Sequence, residues 1–215
     1  MKKDVVAGLG EIGLPICKII SRNFPVYGYD TDKKLIPNNP KKFENYPVRF
    51  LHICIPYSKF FLPNVLKLNK KFLPESIVIH STIKPKTTQN LQKKLSIPII
   101  YSPIRGVHKR MTLDLKRYTK FFALENKTKN SALISKNYVN LMKKCGIKTK
   151  RLSNPITLEL SKIICDTSYY GWLINYAQMS KMIAEKYKVD YDEMWSFSDE
   201  IHKFLGNRPK MFPGF

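Results

Sequence analysis

The chain has 215 residues, of which 43% are hydrophobic and 12% are aromatic. This apolar content is enough to build a core, so the chain as a whole is not a disordered protein. Lysine and arginine number 38 against 16 acidic residues, for a formal charge of +22. Only seven of the basic residues are arginine, which base readout and bidentate phosphate contacts favour. The charge therefore indicates a solvated, lysine-rich surface, and nucleic-acid binding is the less favoured interpretation.

The cysteines and the apolar stretches indicate the compartment. The four cysteines are Cys17, Cys54, Cys145 and Cys165. They lie far apart among apolar residues and form no C-x-x-C pair, which predicts reduced, buried thiols in a cytoplasmic protein. Neither a disulfide framework nor a metal site is expected. The first residues do not form a signal peptide, and no apolar stretch reaches the roughly 18 residues of a membrane span, so we expect no membrane partner.

A dinucleotide-binding fingerprint, G-x-G-x-x-G, opens the chain. Its three glycines are Gly8, Gly10 and Gly13. A β-branched run at 4–7 predicts a strand before it, and apolar residues at helical spacing predict a helix over 11–22. A second predicted strand, 25–29, ends at Asp30. Strand, glycine turn, helix, strand and acid follow one another within about 30 residues, which is the context that this fingerprint requires.

Each part of the fingerprint has a physical role in binding a dinucleotide. Gly8 permits a tight turn, Gly10 lets the backbone approach a pyrophosphate, and Gly13 lets the helix pack closely against its strand. The N-terminus of the helix, at Glu11 and Ile12, offers unpaired N–H groups to the phosphates. These five residues are therefore predicted to contact the cofactor.

The acid at the end of the second strand predicts which cofactor is bound. Asp30 is placed to accept hydrogen bonds from the adenosine ribose hydroxyls, and its charge repels a 2′-phosphate. NAD is therefore predicted in preference to NADP. A glycine-rich turn in an α/β domain that binds no nucleotide is the alternative interpretation.

Strands and helices alternate through the rest of the first 153 residues. The predicted strands are 48–55, 76–80, 97–101, 120–124 and 148–152, and the predicted helices are 59–72, 86–95 and 131–144. This alternation predicts an α/β fold with a doubly wound parallel sheet of the Rossmann type. Ligands bind such sheets beyond the carboxyl ends of the strands. Pro56, Ser81 and Thr82 follow two of these strands, so they are also predicted to contact the cofactor.

The pattern becomes helical after Asn154, where Pro155 suits the first turn of a helix. A long helical pattern runs over 155–187, and a second helix is predicted over 191–204. We therefore divide the chain into a NAD-binding Rossmann domain, 1–153, and a small all-helical domain, 154–215. The long helix is apolar on more than one face, which predicts a homodimer interface. Burial of that helix against its own sheet is the alternative.

Several segments together resemble one protein family. They are VAGLGEIGLP at 6–15, YDTD at 29–32, HSTIKPKTT at 80–88, TLELSK at 157–162 and PGF at 213–215. These segments resemble motifs of the nucleotide-sugar dehydrogenases, of the UDP-glucose and GDP-mannose dehydrogenase type. The resemblance implies a Rossmann domain, a central domain on a long dimerising helix, and a second Rossmann-like domain. It also implies oxidation of a sugar 6-hydroxyl to a carboxylate with two NAD.

The resemblance points to three catalytic candidates. The family's Lys-x-x-x-Asn pair corresponds to Lys162 and Asp166, and its catalytic glutamate position is filled by His108. Lys162 and Asp166 are four residues apart, so they share one face of a helix. Lys162 can act as a base or stabilise an oxyanion, and His108 can act as a base near neutral pH. The alternatives are a structural ion pair for the first two residues and a solvated loop residue for His108.

The sequence also departs from the family's pattern. The chain stops at Phe215, before the family's nucleophilic cysteine, and its glutamate and asparagine positions hold other residues. We therefore expect a truncated dehydrogenase that performs one two-electron oxidation of an anionic sugar nucleotide, alone or with a separate C-terminal subunit. A non-catalytic NAD- or nucleotide-binding dimer is the alternative.

Overall fold

The computed structural model describes residues 1–36, 43, 45–106, 108–125 and 128–205, without the side chains of 108 and 199–205. The PGF segment at 213–215 lies outside the described residues. The chain divides into two compact units, Met1–Ile163 and Ile164–Phe215.

The first unit contains a seven-stranded sheet. Its strands are β1 (Lys3–Ala7), β2 (Val26–Tyr29), β3 (Val48–Ile53), β4 (Ser76–Ile79), β5 (Ile99–Tyr101), β6 (Lys120–Leu124) and β7 (Thr149–Arg151). The spatial order is β2-β1-β3-β4-β5-β6-β7. Every neighbouring pair is parallel except β5 and β6, which are antiparallel. The predicted doubly wound α/β fold is confirmed, and the prediction of a wholly parallel sheet is wrong for this one pair.

The chain passes from β5 to its antiparallel neighbour β6 through residues 102–119. Between β5 and β6 the chain forms the helix α4 (Met111–Arg117), which the sequence did not predict. The chain enters β6 at the end of the sheet where β5 ends, and Lys120 Nζ donates to the Ser102 carbonyl there at 2.8 Å.

Helices cover both faces of the sheet. One face packs against α1 (Gly13–Ser21), α4 and α5 (Ser131–Lys144), and the other packs against α2 (Phe61–Phe72), α3 (Thr87–Gln92) and α6 (Pro155–Lys162). The residues of β1 and β4 are all buried, which explains the continuous apolar runs 5–7 and 77–79 within them. The edge strand β7 is short and carries exposed basic side chains, as edge strands commonly do.

A buried carboxylate connects α6 to α3. Glu159 is 0% exposed and accepts hydrogen bonds from Lys86 N at 2.6 Å and from Thr88 N and Oγ1 at 2.9 and 2.7 Å. These donors lie at the N-terminus of α3, where backbone N–H groups lack partners within the helix. Lys86 itself has a φ of 70°, a left-handed conformation that favours glycine, and the resembling family has glycine there.

The packing of α6 places the boundary between the two units later in the chain than the sequence analysis expected. Asn154 Oδ1 accepts from Thr157 N at 2.9 Å, so α6 begins where Pro155 predicted it. Leu158 joins the core beneath the sheet, and the compact first unit therefore extends to Ile163, beyond the expected division after 153.

The second unit consists of helices. A π-helix, Ile163–Ser168, precedes α7 (Tyr169–Tyr187), and α8 (Tyr191–Leu205) follows. The predicted long helix is thus interrupted by π geometry. Within this unit α7 packs on α8 through the edge contact of Tyr176 with Trp195 at 6.0 Å between centroids. Among the described residues, no helix is long and apolar enough to span a membrane.

The cysteines are less uniform than predicted. Cys17 and Cys145 are buried, whereas Cys54 is half-buried and Cys165 is exposed. The expectation of four buried thiols is therefore wrong for Cys165, because it lies in the π-helix of the second unit and not in the core of the sheet.

Removing the charge of Glu159 tests how strongly it holds α6. In Glu159→Gln an amide N–H₂ group replaces one acceptor oxygen and faces a backbone donor. We expect the free energy of unfolding to fall by about 2–4 kcal/mol, measured by urea denaturation. Glu185→Gln is the control, because Glu185 forms only an exposed pair with Lys181. It should change stability by less than about 0.5 kcal/mol.

Candidate functional site

A cavity of about 840 Å³ lies at the carboxyl ends of β1 to β4. Eight of the nine predicted cofactor residues line it: Gly8, Gly10, Glu11, Ile12, Asp30, Pro56, Ser81 and Thr82. The topology thus brings together residues from four strand ends, as the sequence predicted. The volume lies within the range of small-molecule and cofactor pockets.

The ninth predicted residue, Gly13, lies behind the cavity wall. A Cβ atom built at Gly13 would lie 1.6 Å from the carbonyl oxygen of Gly8. Gly8 has a φ of 90°, and a Cβ atom there would lie 2.8 Å from the carbonyl oxygen of Cys54. Both glycines are therefore required for close packing of the turn, α1 and β3. Gly10 is different, because a Cβ atom built there would meet nothing within 4 Å.

Asp30 is fixed at the cavity by backbone donors. Its Oδ2 accepts from Leu9 N at 2.6 Å, within the glycine turn, and its Oδ1 accepts from Asp32 N at 2.9 Å. The carboxylate therefore ties the end of β2 to the turn after β1. Oδ1 also accepts from Thr31 Oγ1 at 3.4 Å, whereas Oδ2 retains a second lone pair, so a ribose hydroxyl can still donate to Oδ2.

The α2 side of the cavity was not predicted. Lys67 and Lys71 line it, and the Lys71 ammonium lies 4.1 Å from the centroid of the Tyr29 ring. Neither lysine forms an ion pair within the described part of the chain. The spacing of four residues places them on one helix face, which is the only sequence signal that could have found them. They make this wall of the cavity positively charged.

Two side chains at the strand ends, Ser81 and Cys54, are not available as nucleophiles. Ser81 Oγ donates to the Ile55 carbonyl at 2.6 Å and so links the loops after β3 and β4. Cys54 lines the cavity, but burial raises the pKa of its thiol. Cys54 is therefore protonated near neutral pH and is not a thiolate nucleophile.

A buried polar chain crosses the sheet beneath the end of β5. The Ser102 carbonyl can only accept, so His80 Nδ1 donates to it at 2.9 Å. His80 Nε2 then accepts from His52 Nδ1 at 2.9 Å. Lys120 donates to the same carbonyl, and Tyr138 donates its hydroxyl to Ser102 Oγ at 2.9 Å. Ser102 is thus held from three elements.

Burial lowers the pKa of the three basic groups in this hydrogen-bonded chain, His52, His80 and Lys120. Desolvation, followed by the positive charges of Arg49 and Lys120, lowers the pKa of His52 to about 3. Desolvation lowers the pKa of His80 well below its usual value. Desolvation also lowers the pKa of Lys120 to about 7. The two histidines are therefore neutral at pH 7, and all three groups hold the structure through hydrogen bonds.

The three catalytic candidates occupy different elements. Lys162 is the last residue of α6 and is half-buried. Asp166 lies in the π-helix, in the second unit, so the α-helical spacing assumed for the pair does not hold there. His108 begins a 3₁₀ helix, His108–Arg110, and its side chain is outside the structural description. Within the described residues there is no cluster of His, Cys, Asp and Glu suited to a metal ion.

Comparison with known proteins rests on structure. No protein-family model matches the chain, and no curated protein sequence matches it significantly. UDP-D-ManNAc dehydrogenase from Pyrococcus horikoshii superposes with a TM-score of 0.76 at 17% identity, over 97% of this chain and 58% of its own. UDP-N-acetyl-mannosamine dehydrogenase from Staphylococcus aureus gives 0.70 at 17%, over 99% and 60%.

The fold is that of nucleotide-sugar dehydrogenases. This confirms the structural part of the resemblance seen in the motifs. The nucleotide-sugar dehydrogenase fold extends to other enzymes: 3-hydroxyisobutyrate dehydrogenase from Mycobacterium tuberculosis gives a TM-score of 0.68 at 14% identity, over 97% of this chain and 72% of its own. The chain spans about 60% of the length of the two nucleotide-sugar dehydrogenases.

Lys120 predicts a pH dependence of stability. Its pKa is about 7 in the folded chain and about 10.4 when unfolded. Between these values the unfolded chain binds more protons, so this group makes stability rise with pH by up to about 1.4 kcal/mol per unit. Raised cysteine pKa values act in the opposite direction, so the wild type must be compared with Lys120→Met, which keeps the cysteines.

The measurement is urea denaturation of both proteins from pH 7.5 to 9.5. We expect the wild type to gain about 2–3 kcal/mol over Lys120→Met across this window. Lys94→Met, at an exposed position, should follow the wild type. Parallel curves for the wild type and Lys120→Met would contradict the burial of a neutral lysine.

Proposed function

We propose that this protein binds NAD in the cavity at the carboxyl ends of β1 to β4. The observation that carries the proposal is the space above Gly10, where a Cβ atom would meet nothing. Packing requires glycine at the other two positions of the turn, Gly8 and Gly13, but it does not require glycine at position 10. Close approach of a pyrophosphate supplies one.

The surroundings of the turn support the same ligand. The first N–H groups of α1 and the lysines of α2 favour phosphate oxygens. Asp30 lines the cavity, and its Oδ2 has an acceptor position left, which suits a ribose hydroxyl, while its charge opposes a 2′-phosphate. NAD is therefore favoured over NADP.

We further propose that the protein is a dehydrogenase module of the nucleotide-sugar type. Bound NAD would supply a hydride acceptor. Lys162 would take the hydroxyl proton or stabilise the developing oxyanion, and Asp166 and His108 would assist in proton transfer. The substrate would be a sugar nucleotide or a related anionic alcohol, oxidised alone or with a separate C-terminal subunit. A cytoplasmic location suits such a substrate.

A non-catalytic NAD-binding role is the second candidate. It is favoured by Asp166 and His108, which stand at positions where the resembling family has asparagine and glutamate. Formation of NADH, followed at 340 nm with a panel of sugar nucleotides, separates the two. Turnover that Lys162→Met abolishes supports the enzyme, whereas NAD binding without turnover on any sugar nucleotide supports the binding role.

Alanine at Gly10 tests the cofactor site without disturbing the fold. We expect wild-type protein to bind NAD by calorimetry and Gly10→Ala to bind at least about tenfold more weakly, because the methyl group occupies the pyrophosphate position. NADP should bind the wild type at least about tenfold more weakly than NAD.

Gly171→Ala is the matched control for Gly10→Ala. A Cβ atom there also meets nothing within 4 Å, but Gly171 lies in α7, in the second unit. This variant should bind NAD like the wild type. Equal NAD affinity of Gly10→Ala and the wild type would refute the proposed position of the cofactor.

We also propose that α7 forms a homodimer interface. Apolar side chains of this helix are extensively exposed in the single chain: Tyr170 (58%), Trp172 (73%), Ile174 (58%), Met182 (69%) and Tyr187 (70%). Exposed apolar patches of this kind mark interaction sites. A second copy of the same helix is a partner of matching chemistry, since isologous contacts are the commonest in oligomers.

A charge placed in this surface tests the dimer. We expect the wild type to elute at twice the chain mass in light-scattering chromatography, and Trp172→Glu with Met182→Glu to shift it toward the monomer. Gln178→Glu adds a charge at an exposed polar position of the same helix and should leave the dimer intact. A monomeric wild type would refute the interface.

A further inference from the structure

Cations and aromatic rings alternate at the edge of the sheet formed by β5, β6 and β7. The Arg117 guanidinium lies 5.7 Å from the centroid of the Tyr118 ring, and Arg105 lies 5.9 Å from the same ring. Arg105 also lies 5.0 Å from the Phe121 ring, and Lys150 lies 5.9 Å from Phe121 on the neighbouring strand. These five residues form one continuous ladder of cation, ring, cation, ring and cation.

The fold holds the ladder in place. Arg105 Nη2 donates to the Thr119 carbonyl at 3.0 Å, which fixes the middle cation over β6. Phe121 and Lys150 are register partners in the parallel pair of β6 and β7, so their side chains lie on the same face. Phe121 packs against the core below, whereas the three cations are exposed.

The ladder cations keep their charge without acidic partners. Between positions 101 and 151 the chain has 14 lysines and arginines against two acidic residues, compared with 24 against 14 elsewhere. Asp114, one of these two acids, pairs with Arg110 at 3.1 Å. Arg105, Arg117 and Lys150 form no ion pair within the described residues. A polyanion gains most from such unpaired charges, because it releases counterions on binding.

We propose that this ladder binds single-stranded nucleic acid. Single strands are bound by basic grooves whose aromatic and guanidinium planes stack on unpaired bases while cations contact the backbone. A single diphosphate can contact only one step of the ladder, whereas a strand can follow it from Arg117 to Lys150. The scarcity of arginine in the sequence disfavoured nucleic-acid binding. In the fold, however, two of the seven arginines, Arg105 and Arg117, lie against the ring of Tyr118.

The ladder is separate from the proposed cofactor site. The cavity residues come from β1 to β4 and α2, and none of them belongs to the ladder. Nucleic-acid binding and NAD binding are therefore tested by different variants. Failure of one leaves the other standing.

Fluorescence anisotropy with labelled (dT)₁₂ and (rU)₁₂ tests the proposal, with a 12-base-pair duplex as the competing ligand. The ladder variant is Arg105→Gln, Arg117→Gln and Lys150→Gln. The control variant removes the same charge at three exposed positions outside the ladder and the cavity: Lys18→Gln, Lys93→Gln and Lys94→Gln. NAD calorimetry and thermal melting of both variants verify that the fold is retained.

At 100 mM salt we expect the ladder variant to bind the single strands at least about tenfold more weakly than the wild type, and the control variant to stay within about threefold. The slope of log affinity against log salt should fall by about 2 in the ladder variant, because three phosphate contacts are lost. Equal losses in the two variants would show diffuse charge and overturn the site. Tighter binding of the duplex would overturn the preference for single strands. Binding to anionic vesicles, with no binding to either nucleic acid, would overturn nucleic acid as the ligand.

Discussion

The carboxylate of Glu159 is the contact on which the arrangement of the first unit depends. A charge that is fully buried is tolerated only where hydrogen bonds replace its hydration, and here three donors at the N-terminus of α3 do so. The helix that carries Glu159 is therefore held against the sheet, and Lys162 is one turn away on the same helix. The two motifs 80–88 and 157–162 are distant in sequence but form one structural contact.

The glycine turn combines two constraints that have different causes. Gly8 and Gly13 are required because backbone atoms of the fold occupy the space of their Cβ atoms. Gly10 is not constrained in this way, and the proposed close approach of a pyrophosphate is our explanation for glycine there. Asp30 joins the two constraints, since its carboxylate receives the N–H of Leu9 inside the turn and still faces the cavity. Packing and the proposed ligand recognition thus share one short segment.

The basic residues are arranged into distinct surfaces only in the folded protein. Along the sequence it is a surplus of lysine with few arginines. In the structure part of it lies on the α2 wall of the cavity, and part alternates with aromatic rings across β6 and β7. In the interior, burial disfavours the charged form of Lys120 and lowers the pKa of its ammonium group to about 7. Where a basic residue lies in the fold therefore decides what it can bind.

The sequence by itself determined the order of the seven strands and of most helices, the start of α6 at Pro155, and eight of the residues that line the cavity. These depend on local periodicity, capping and the rule that parallel strands end at one edge. Only the tertiary structure decided the direction of β6, the role of Glu159, the lysine wall of α2 and the cation–aromatic ladder. Each of these depends on contacts between segments that are separate in the chain, and such contacts leave no periodic signal in the sequence.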